Sequence, residues 1–265
     1  MSKGITTKEY WDDYWGSGAP RFATYDKSRG VFHALDLLLA ECLRRTRERL
    51  ARDPLRLVDC GSGEGLILRF VHEQHPGVEV WGIEYSDAIE KSRQMAEELG
   101  YDFHLLRGDL FELCRPGVTE PFDVLTSFGL IEHFDDPGQV LAQLIQMVEP
   151  GGCVITVIPN FDGLFNALWK LYDPGNYRHH IPISNARLLA VHRELGLEDV
   201  ALYPIGTPTI PAIHDAARSW QKKLNWVIEQ VNGRILQPLW PRQVSLQRKY
   251  AMTPAVACVG WKPLP

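Results

Sequence analysis

With 265 residues, of which 45% are hydrophobic, the chain is long enough to bury one large core. A net charge of −5 and an isoelectric point near 6.0 argue against the basic surface that binding to nucleic acid requires. The sequence contains no apolar run of about 18 residues, so it predicts no membrane span. The N-terminus lacks the apolar core of a signal peptide.

The five cysteines are scattered, odd in number and without C-x-x-C spacing. They predict reduced, mostly buried thiols in a cytoplasmic protein, with no disulfide framework and no metal site. A basic cluster lies on one predicted helix together with Glu41 and Glu48, which is typical of a solvated helix face. Its members are Arg44, Arg45, Arg47, Arg49 and Arg52.

In chain order, strands and helices alternate, which favours an α/β fold. The predicted strands cover residues 56–60, 79–84, 103–107, 122–128 and 152–158, with two late strands near 197–203 and 254–261. The predicted helices cover residues 65–75, 86–100, 137–148 and 184–195, with Ser86 or Asp87, Asp136 and Ser184 as N-terminal caps and Gly100 as a stop. We expect a doubly wound, mostly parallel seven-stranded sheet.

The most informative segment is LVDCGSGEG, Leu57 to Gly65, in which an acid precedes a glycine-rich turn after a strand. A dinucleotide-binding fingerprint would place its third glycine where Leu66 stands. The carboxylate of Asp59 would repel a pyrophosphate, whereas it suits a ligand that carries an ammonium group. S-adenosylmethionine has that ammonium group, a sulfonium and no phosphate, so the sign of the charge favours it.

Further candidate residues follow the next strands, at the sheet edge where ligands of doubly wound folds bind. Glu84 ends the second predicted strand, and its carboxylate could accept hydrogen bonds from both ribose hydroxyls. Asp109 follows the third strand, where it could accept from an adenine amino group. The segment 127–133, SFGLIEH, follows the fourth strand and should line the cofactor or the acceptor.

The ordered segments DCGSGEG, GIEYSD, RGDLFE, FDVLTSFGLIEHFDDP and MVEPGGCVITVIPN resemble the motifs of class I S-adenosylmethionine-dependent methyltransferases, over roughly residues 55–203. They are most similar to the small-molecule branch that includes quinone-biosynthesis and natural-product enzymes. Ser127 replaces the acidic or amide residue of nucleic-acid adenine methyltransferases, and no N-P-P-Y stretch occurs, which counts against a DNA acceptor. The resemblance implies a lid at residues 1–52 and a cofactor-binding domain at 53–265, with cap insertions at about 160–183 and 207–248.

The resemblance also implies roles for single residues. Asp59, Gly61 and Gly63 would hold the methionine portion, Glu84 the ribose and Asp109 the adenine edge. Phe128 would offer a backbone contact. The remaining cofactor candidates are neighbours in these motifs or, in one case, on the N-terminal helix: Ser62, Gly65, Tyr85, Gly108, Leu110, Ser127 and Tyr14.

Three histidines are candidates for a general base, which is needed only if the acceptor is a hydroxyl, a charged amine or a carbon acid. His133 lies in the loop after the fourth strand, and His179 and His180 lie just before the Ser184 cap. His180 is favoured because it is nearest that cap, although each of the three could instead be structural. Glu132 is expected to orient a neighbour or to cap a helix, not to act as the base.

Two aromatic segments are expected to define the acceptor site. Residues 160–177 form an insert in which Phe165, Leu168, Trp169 and Tyr172 recur at helical spacing. This face packs against the domain or covers an apolar acceptor, with Asn160, Phe165, Trp169, Tyr172, Tyr177 and Glu132 as acceptor-binding candidates. Near the N-terminus, Tyr10, Trp11, Tyr14 and Trp15 predict either a lid across the cofactor or a docked helix.

Residues 212–236 form the longest amphipathic stretch, with Ile213, Trp220, Val227 and Ile235 on one predicted face. It could complete the pocket, form a homodimer contact or lie on a membrane, and its few basic residues make the last interpretation the weakest. Two other classes of function stay open. One is a nicotinamide-dependent oxidoreductase, disfavoured by Leu66 and Asp59, and the other is a non-catalytic nucleoside-binding module.

Overall fold

The computed structural model describes residues 3–16, 25–26, 30–115, 117–213, 218–236 and 246–265. Seven strands form one sheet, in the order β3-β2-β1-β4-β5-β7-β6. The strands are β1 (Leu55–Cys60), β2 (Val78–Glu84), β3 (Phe103–Arg107), β4 (Phe122–Phe128), β5 (Val148–Pro159), β6 (Glu198–Ile205) and β7 (Ala255–Trp261). β7 runs antiparallel to both of its neighbours, and the other pairs are parallel. The predicted doubly wound, mostly parallel seven-stranded fold is confirmed.

Helices cover both faces of the sheet, and buried residues on the two faces form two apolar clusters. The helices are α1 (Lys8–Gly16), α2 (Gly30–Leu50), α3 (Leu66–Gln74), α4 (Ala88–Leu99), α5 (Leu110–Leu113), α6 (Pro137–Gln146), α7 (Leu164–Tyr172), α8 (Pro174–Tyr177), α9 (Asn185–Glu194), α10 (Ser219–Val231) and α11 (Leu246–Met252). Leu57, Val58 and Cys60 of β1 are fully buried, which explains why this strand reads as a continuous apolar run.

Most predicted helix ends are where the sequence places them. The Asp136 carboxylate accepts from the backbone N–H of Gln139 at 3.1 Å, and the Ser184 hydroxyl accepts from that of Arg187 at the same distance. Gly100 ends α4 with a positive φ of 70°, a conformation that favours glycine. These caps fix the two helices that flank the loop after β4 and the segment carrying His179 and His180.

The predicted helix over residues 137–148 and the predicted strand over 152–158 leave residues 149–151 outside both, whereas β5 begins at Val148 and includes them. Phe122 pairs with Val148 and Val124 pairs with Cys153, so five residues of β5 advance against two of β4. The surplus residues form an irregularity inside the strand. Gly151 donates to the carbonyl of Lys262, and Lys262 donates back to Gly152, so the bulged segment is held by the end of the chain.

The amphipathic helix expected over residues 212–236 is shorter than predicted. α10 begins at Ser219, and a π-helical turn follows over Asn232–Leu236. Ile213 precedes the helix, exchanging backbone hydrogen bonds with the Asn225 side chain, and residues 214–217, including Ala217, lie outside the described residues. Residues 237–245 of the predicted insertion at 207–248 also lie outside them. On the predicted apolar face, Trp220 and Val227 are 51% and 46% exposed, whereas Ile213 is only 5% exposed.

The arginine cluster of α2 pairs with carboxylates. Arg44 contacts Glu41 at 2.7 Å, Arg45 contacts Asp199 at 2.7 Å, and Arg52 beyond the helix contacts Asp123 at 2.7 Å. All five cysteines are buried and free. Among the described residues, no helix is long and apolar enough to cross a membrane.

Candidate functional site

The glycine-rich turn lies between the carboxyl ends of β1 and β2, and the Glu84 side chain holds it in place. One carboxylate oxygen of Glu84 accepts from the backbone N–H of Gly63 at 2.8 Å, and the other accepts from that of Ser86 at 2.8 Å. The backbone N–H groups of Gly61 and Ser62 donate to the carbonyl of Ile83. Glu84 therefore fixes the loop, and each of its oxygens keeps a further lone pair for a ligand hydroxyl.

Asp59 lies below this turn and is 1% exposed. One of its carboxylate oxygens accepts a hydrogen bond from the Thr126 hydroxyl on the neighbouring strand at 2.8 Å. Burial raises the pKa of Asp59 to about 7, and the charge of Glu84 adds to that shift. At neutral pH the carboxyl of the free protein is therefore divided between its charged and neutral forms, and an adjacent ammonium group would favour the charged form.

A cavity of about 550 Å³ opens at the carboxyl ends of β1 to β4. Its volume suits a drug-sized or nucleoside-sized ligand. The predicted cofactor residues that line it are Gly61, Glu84, Tyr85, Gly108, Asp109, Leu110 and Phe128. Phe111 and Phe134 also line it, with ring centroids 5.6 Å apart, and sequence reasoning missed both. In the sequence, Phe111 follows Asp109 by two residues and Phe134 follows His133 directly, and only this proximity to predicted site residues indicates that they line the cavity.

Asp109 lies at the end of this cavity where the resemblance places adenine. Its carboxylate accepts from the backbone N–H of Phe111 at 2.8 Å and so caps the short helix α5. Because the side chain is exposed, its remaining acceptor positions are open to a ligand amino group. The capping role and the predicted ligand role are compatible in this geometry.

The other predicted cofactor residues do not line the cavity: Asp59, Ser62, Gly63, Gly65, Ser127 and Tyr14. Gly65 packs against α4, where an added Cβ would come within 2.7 Å of the Ser92 hydroxyl. Ser62 and Ser127 are 7% and 1% exposed, and their hydroxyls have no hydrogen-bond partner among the described residues. Tyr14 packs against Tyr10, Trp11 and Trp15, with the last ring centroid 4.8 Å away.

α1 lies across the glycine turn, and it contributes Trp11 and Trp15 to the cavity. The carboxylate of Asp12 accepts from the backbone N–H of Asp87 at 2.7 Å, while Lys8 bridges Asp12 and Asp87. Ile5 donates to the carbonyl of His133 at 2.8 Å, which ties the preceding segment to the loop after β4. The segment expected to form a lid thus packs on the site. Trp15 lines the cavity, whereas the predicted Tyr14 does not.

We expect Gly63→Ala to displace α1, because a Cβ at this position would lie 2.7 Å from the Trp15 ring. The backbone φ of 52° adds strain for a residue with a side chain. Protease cleavage before residue 16 should become faster in this variant. The double variant Gly63→Ala/Trp15→Ala should differ little in cleavage from Trp15→Ala alone. Equal cleavage of Gly63→Ala and wild type would contradict the contact.

The three candidate histidines lie close together. The Nδ1 of His133 is 2.7 Å from the carbonyl oxygen of His179, and the Nδ1 of His180 is 3.1 Å from that of Asn176. Since a carbonyl can only accept, both Nδ1 atoms carry the proton and both Nε2 atoms keep the basic lone pair. Burial lowers the pKa of His133 to about 3 and also lowers the pKa of His180.

The positions of these rings differ. His133 lines the cavity and its ring centroid is 4.5 Å from that of His180. His180 in turn contacts Trp169 of the insert at 4.8 Å. His179 instead packs on Tyr10 of α1, with centroids 4.5 Å apart. His180 therefore does not line the cofactor cavity but lies between His133 and Trp169 of the insert, whereas His179 contacts α1.

Glu132 is fully buried beside His133 and does not line the cavity. Neither of its carboxyl oxygens has a hydrogen-bond partner within the described part of the chain. Burial raises the pKa of Glu132 to about 8, so the group is neutral at pH 7. The expectation that it caps the following helix is wrong, because Asp136 caps α6.

This burial predicts a stability effect for Glu132→Gln. The native state binds a proton that the unfolded state releases above a pKa of 4.5, so the wild type should lose stability as pH rises from about 4.5 to 8. The glutamine variant should lose less over the same range, and its melting temperature relative to wild type should be higher at pH 8 than at pH 5. Thermal unfolding at both values measures this, and a constant difference would contradict the neutral assignment.

Three of the six residues predicted to bind the acceptor line a second cavity of about 220 Å³, and Tyr172, Tyr177 and Glu132 do not. Asn160, Phe165 and Trp169 line it. The hydroxyl of Tyr172 donates to the carbonyl of Pro211, and the Tyr177 ring packs on Trp169 at 5.2 Å. The insert thus forms helices α7 and α8, as its spacing indicated, although Leu168 is 40% exposed.

Comparison with known proteins identifies the family of the chain. A family model described as a methyltransferase domain matches residues 30–202, more than half of the chain. The chain therefore belongs to this methyltransferase family, which confirms the predicted class, its dependence on S-adenosylmethionine and the predicted resemblance to the small-molecule branch.

Two curated relatives illustrate that branch. The chain is 29% identical over 138 residues to a demethylmenaquinone methyltransferase of Deinococcus radiodurans, covering 51% of this chain and 55% of that protein. It is 30% identical over 154 residues to a ubiquinone biosynthesis O-methyltransferase of Thiobacillus denitrificans, covering 54% of this chain and 64% of that protein. The chain thus spans less than two thirds of the length of each relative.

Solved structures share the fold at lower identity. A plantazolicin methyltransferase in complex with S-adenosylhomocysteine is 16% identical, with a TM-score of 0.56, covering 97% of this chain and 95% of that one. A methyltransferase from Archaeoglobus fulgidus is 19% identical, with a TM-score of 0.53, covering 86% and 94%. These likenesses show the architecture alone.

Proposed function

We propose that the protein transfers a methyl group from S-adenosylmethionine to an oxygen or nitrogen atom of a small, quinone-like or natural-product metabolite. The observation that carries the proposal is the pair of acids at the glycine turn. Asp59 lies buried below the turn, and the Glu84 carboxylate accepts a hydrogen bond from the backbone of the turn. Both acidic side chains next to the glycine-rich loop are therefore carboxyl groups. Such a site favours a ligand with an ammonium group and ribose hydroxyls over one with phosphates.

The residues present fit this cofactor. Gly61 has a positive φ of 75°, and the cavity beside it is bounded by Leu130, Glu84 and Asp109. Asp59 would pair with the ammonium group, Glu84 would accept from the ribose and Asp109 from the adenine edge. Bound there, S-adenosylmethionine supplies a methyl group activated by its sulfonium. The chain then has to align the acceptor with that methyl group, exclude water and remove a proton.

His180 is the base that we propose. Its Nδ1–H donates to the carbonyl of Asn176, so the Nε2 lone pair can take a proton from an acceptor hydroxyl. Bound S-adenosylmethionine would supply the methyl group and keep the electron pair of the broken carbon–sulfur bond on sulfur, and Nε2 of His180 would take the proton of the acceptor hydroxyl. His133 contributes a wall of the cavity and keeps the His180 ring in place at 4.5 Å.

α1 serves as the lid in this proposal, because Trp11 and Trp15 lie on the cavity while Lys8 and Asp12 anchor the helix to α4. We also propose that the protein acts in the cytoplasm. A homodimer through residues 212–236 stays a proposal, supported by the exposure of Trp220 and Trp226, which are 51% and 63% exposed.

Two experiments test the proposal. Calorimetric titration with S-adenosylhomocysteine should give binding in the micromolar range, whereas NADH should give no heat. Incubation with methyl-labelled S-adenosylmethionine and a panel of phenols, hydroquinones and amines should then label at least one acceptor. Binding of S-adenosylhomocysteine without labelling of any acceptor would instead support the non-catalytic module. Binding of NADH alone would support the oxidoreductase.

A further inference from the structure

The loop at residues 132–135, which follows β4, is hydrogen-bonded to two segments that lie far from it in the chain. The first is the segment before α1. Ile5 donates from its backbone N–H to the carbonyl of His133 at 2.8 Å, and Gly4 forms an antiparallel bridge with Phe134. The segment before α1 therefore pairs with this loop as a short β-ladder.

The second segment carries the candidate histidines. The backbone N–H of Ile181 donates to the carbonyl of Glu132 at 2.7 Å, and the Nδ1–H of His133 donates to the carbonyl of His179 at 2.7 Å. The His180 ring packs on the His133 ring, with centroids 4.5 Å apart. His133 therefore contacts the N-terminal segment through its carbonyl and the histidine segment through its ring.

α1 adds aromatic contacts to both histidines. Trp11 meets the His133 ring edge-on, with centroids 4.8 Å apart, and its Nε1–H donates to the Thr6 hydroxyl at 3.1 Å. Tyr10 packs on the His179 ring, with centroids 4.5 Å apart. Close-packed groups do not shift independently, so movement of α1 would remove contacts from His133 and His179 together.

The same N-terminal residues form a wall of the cofactor cavity. Thr6, Trp11 and Trp15 line it together with His133, whereas Ile181 does not. A ligand that contacts α1 and His133 stabilises the arrangement in which the two are joined. An effect of such a ligand on Ile181 would therefore have to pass through the loop or through α1.

We propose that residues 3–11 are a positioning element for the histidine segment at residues 179–181, and that they act on it through residues 132–135. When the cofactor holds α1 on the cavity, it thereby also orders the segment that carries His180. By linkage, an ordered histidine segment strengthens cofactor binding by the same factor. This inference rests on the proposed function, since it takes S-adenosylmethionine as the ligand of the cavity.

Amide hydrogen exchange of the full chain, measured by NMR for single residues, tests the coupling. Ile5→Pro removes the N–H that donates to His133, so the Ile181 amide should exchange about threefold to tenfold faster, the net contribution of one hydrogen bond. Ile5→Ala is the matched control, because it keeps this N–H and removes only a side chain that is 39% exposed. S-adenosylhomocysteine should slow the exchange of Ile181 in the wild type and in Ile5→Ala, and should slow it less in Ile5→Pro.

The reverse experiment separates coupling from a local defect. Ile181→Pro removes the N–H that donates to Glu132, on the other side of the loop from Ile5. Because coupling is reciprocal, the Ile5 amide should exchange faster in this variant. Ile181→Val keeps the N–H and should leave the Ile5 amide as it is in the wild type.

Equal exchange of Ile181 in Ile5→Pro and Ile5→Ala would overturn the proposal, and so would an unchanged Ile5 amide in Ile181→Pro. If S-adenosylhomocysteine does not bind, the proposed function fails, whereas the ligand-free variants still decide the coupling. If it binds and the two Ile5 variants do not differ, the proposed function stands and the coupling fails. The amide of Val58 in β1 should exchange as in the wild type in every variant, which shows that the domain is folded.

Discussion

Asp59→Asn is expected to weaken the binding of S-adenosylhomocysteine by about 10- to 100-fold, the range for losing one hydrogen bond to a charged group. The reason is that the amide keeps the shape of the side chain and its contact with Thr126, but it cannot carry the charge that pairs with the ligand's ammonium group. Calorimetric titration of both proteins at pH 8 measures the difference.

The pH dependence of the same affinity is the control. Because the pKa of Asp59 is raised to about 7, the charged form that the ligand requires is lost as pH falls below 7. The wild-type affinity should therefore decrease by up to about tenfold for each pH unit below that value, and the asparagine variant should show a flat profile between pH 5.5 and 7. Equal affinity of the two proteins at pH 8 would remove Asp59 from the site.

His180→Gln is expected to lower kcat for a phenolic acceptor by about 10²- to 10⁴-fold, the usual contribution of a general base. Glutamine can still contact Asn176 and Trp169, so the affinity for S-adenosylhomocysteine should not change. Since burial holds the pKa of His180 below its usual value of 6.5, the wild-type kcat at saturating cofactor should stay constant down to pH 6.5. Initial rates with labelled cofactor measure both effects.

Two neighbouring variants serve as controls for that result. His179→Gln should retain most of the activity, because the His179 ring packs on Tyr10 of the lid. His133→Gln should have an intermediate effect, because His133 supports the His180 ring and has a pKa near 3, which makes it a weak base. A large loss of kcat in His133→Gln together with wild-type activity in His180→Gln would assign the base to His133.

The sequence predicted the sheet and its edge well, because both depend on local patterns. Continuous apolar strands, the caps at Asp136 and Ser184 and the order of the motifs each require only a few adjacent residues. The position of Asp59 under the turn and of Glu84 at the end of β2 follows from the same topology. Family membership then confirmed the class that this order indicated.

Contacts between distant segments could not be predicted in the same way. The packing of Trp15 on Gly63 depends on how α1 packs against the rest of the domain. The sequence places four aromatic residues on that helix and does not indicate which of them contacts the glycine turn. The hydrogen bonds that Glu84 accepts from Gly63 and Ser86 depend on the three-dimensional path of the folded loop, which local sequence patterns do not determine. α10 starts later than its periodicity indicated, because Ile213 is fixed outside the helix by Asn225.

The most direct test of the account is a competition titration in which S-adenosylhomocysteine and NADH are added separately to the protein and then together. We predict that S-adenosylhomocysteine binds at one site per chain and that NADH neither binds nor displaces it, because the acids at the turn disfavour phosphate groups. Binding of NADH that S-adenosylhomocysteine cannot displace, with no binding of S-adenosylhomocysteine by itself, would contradict the account.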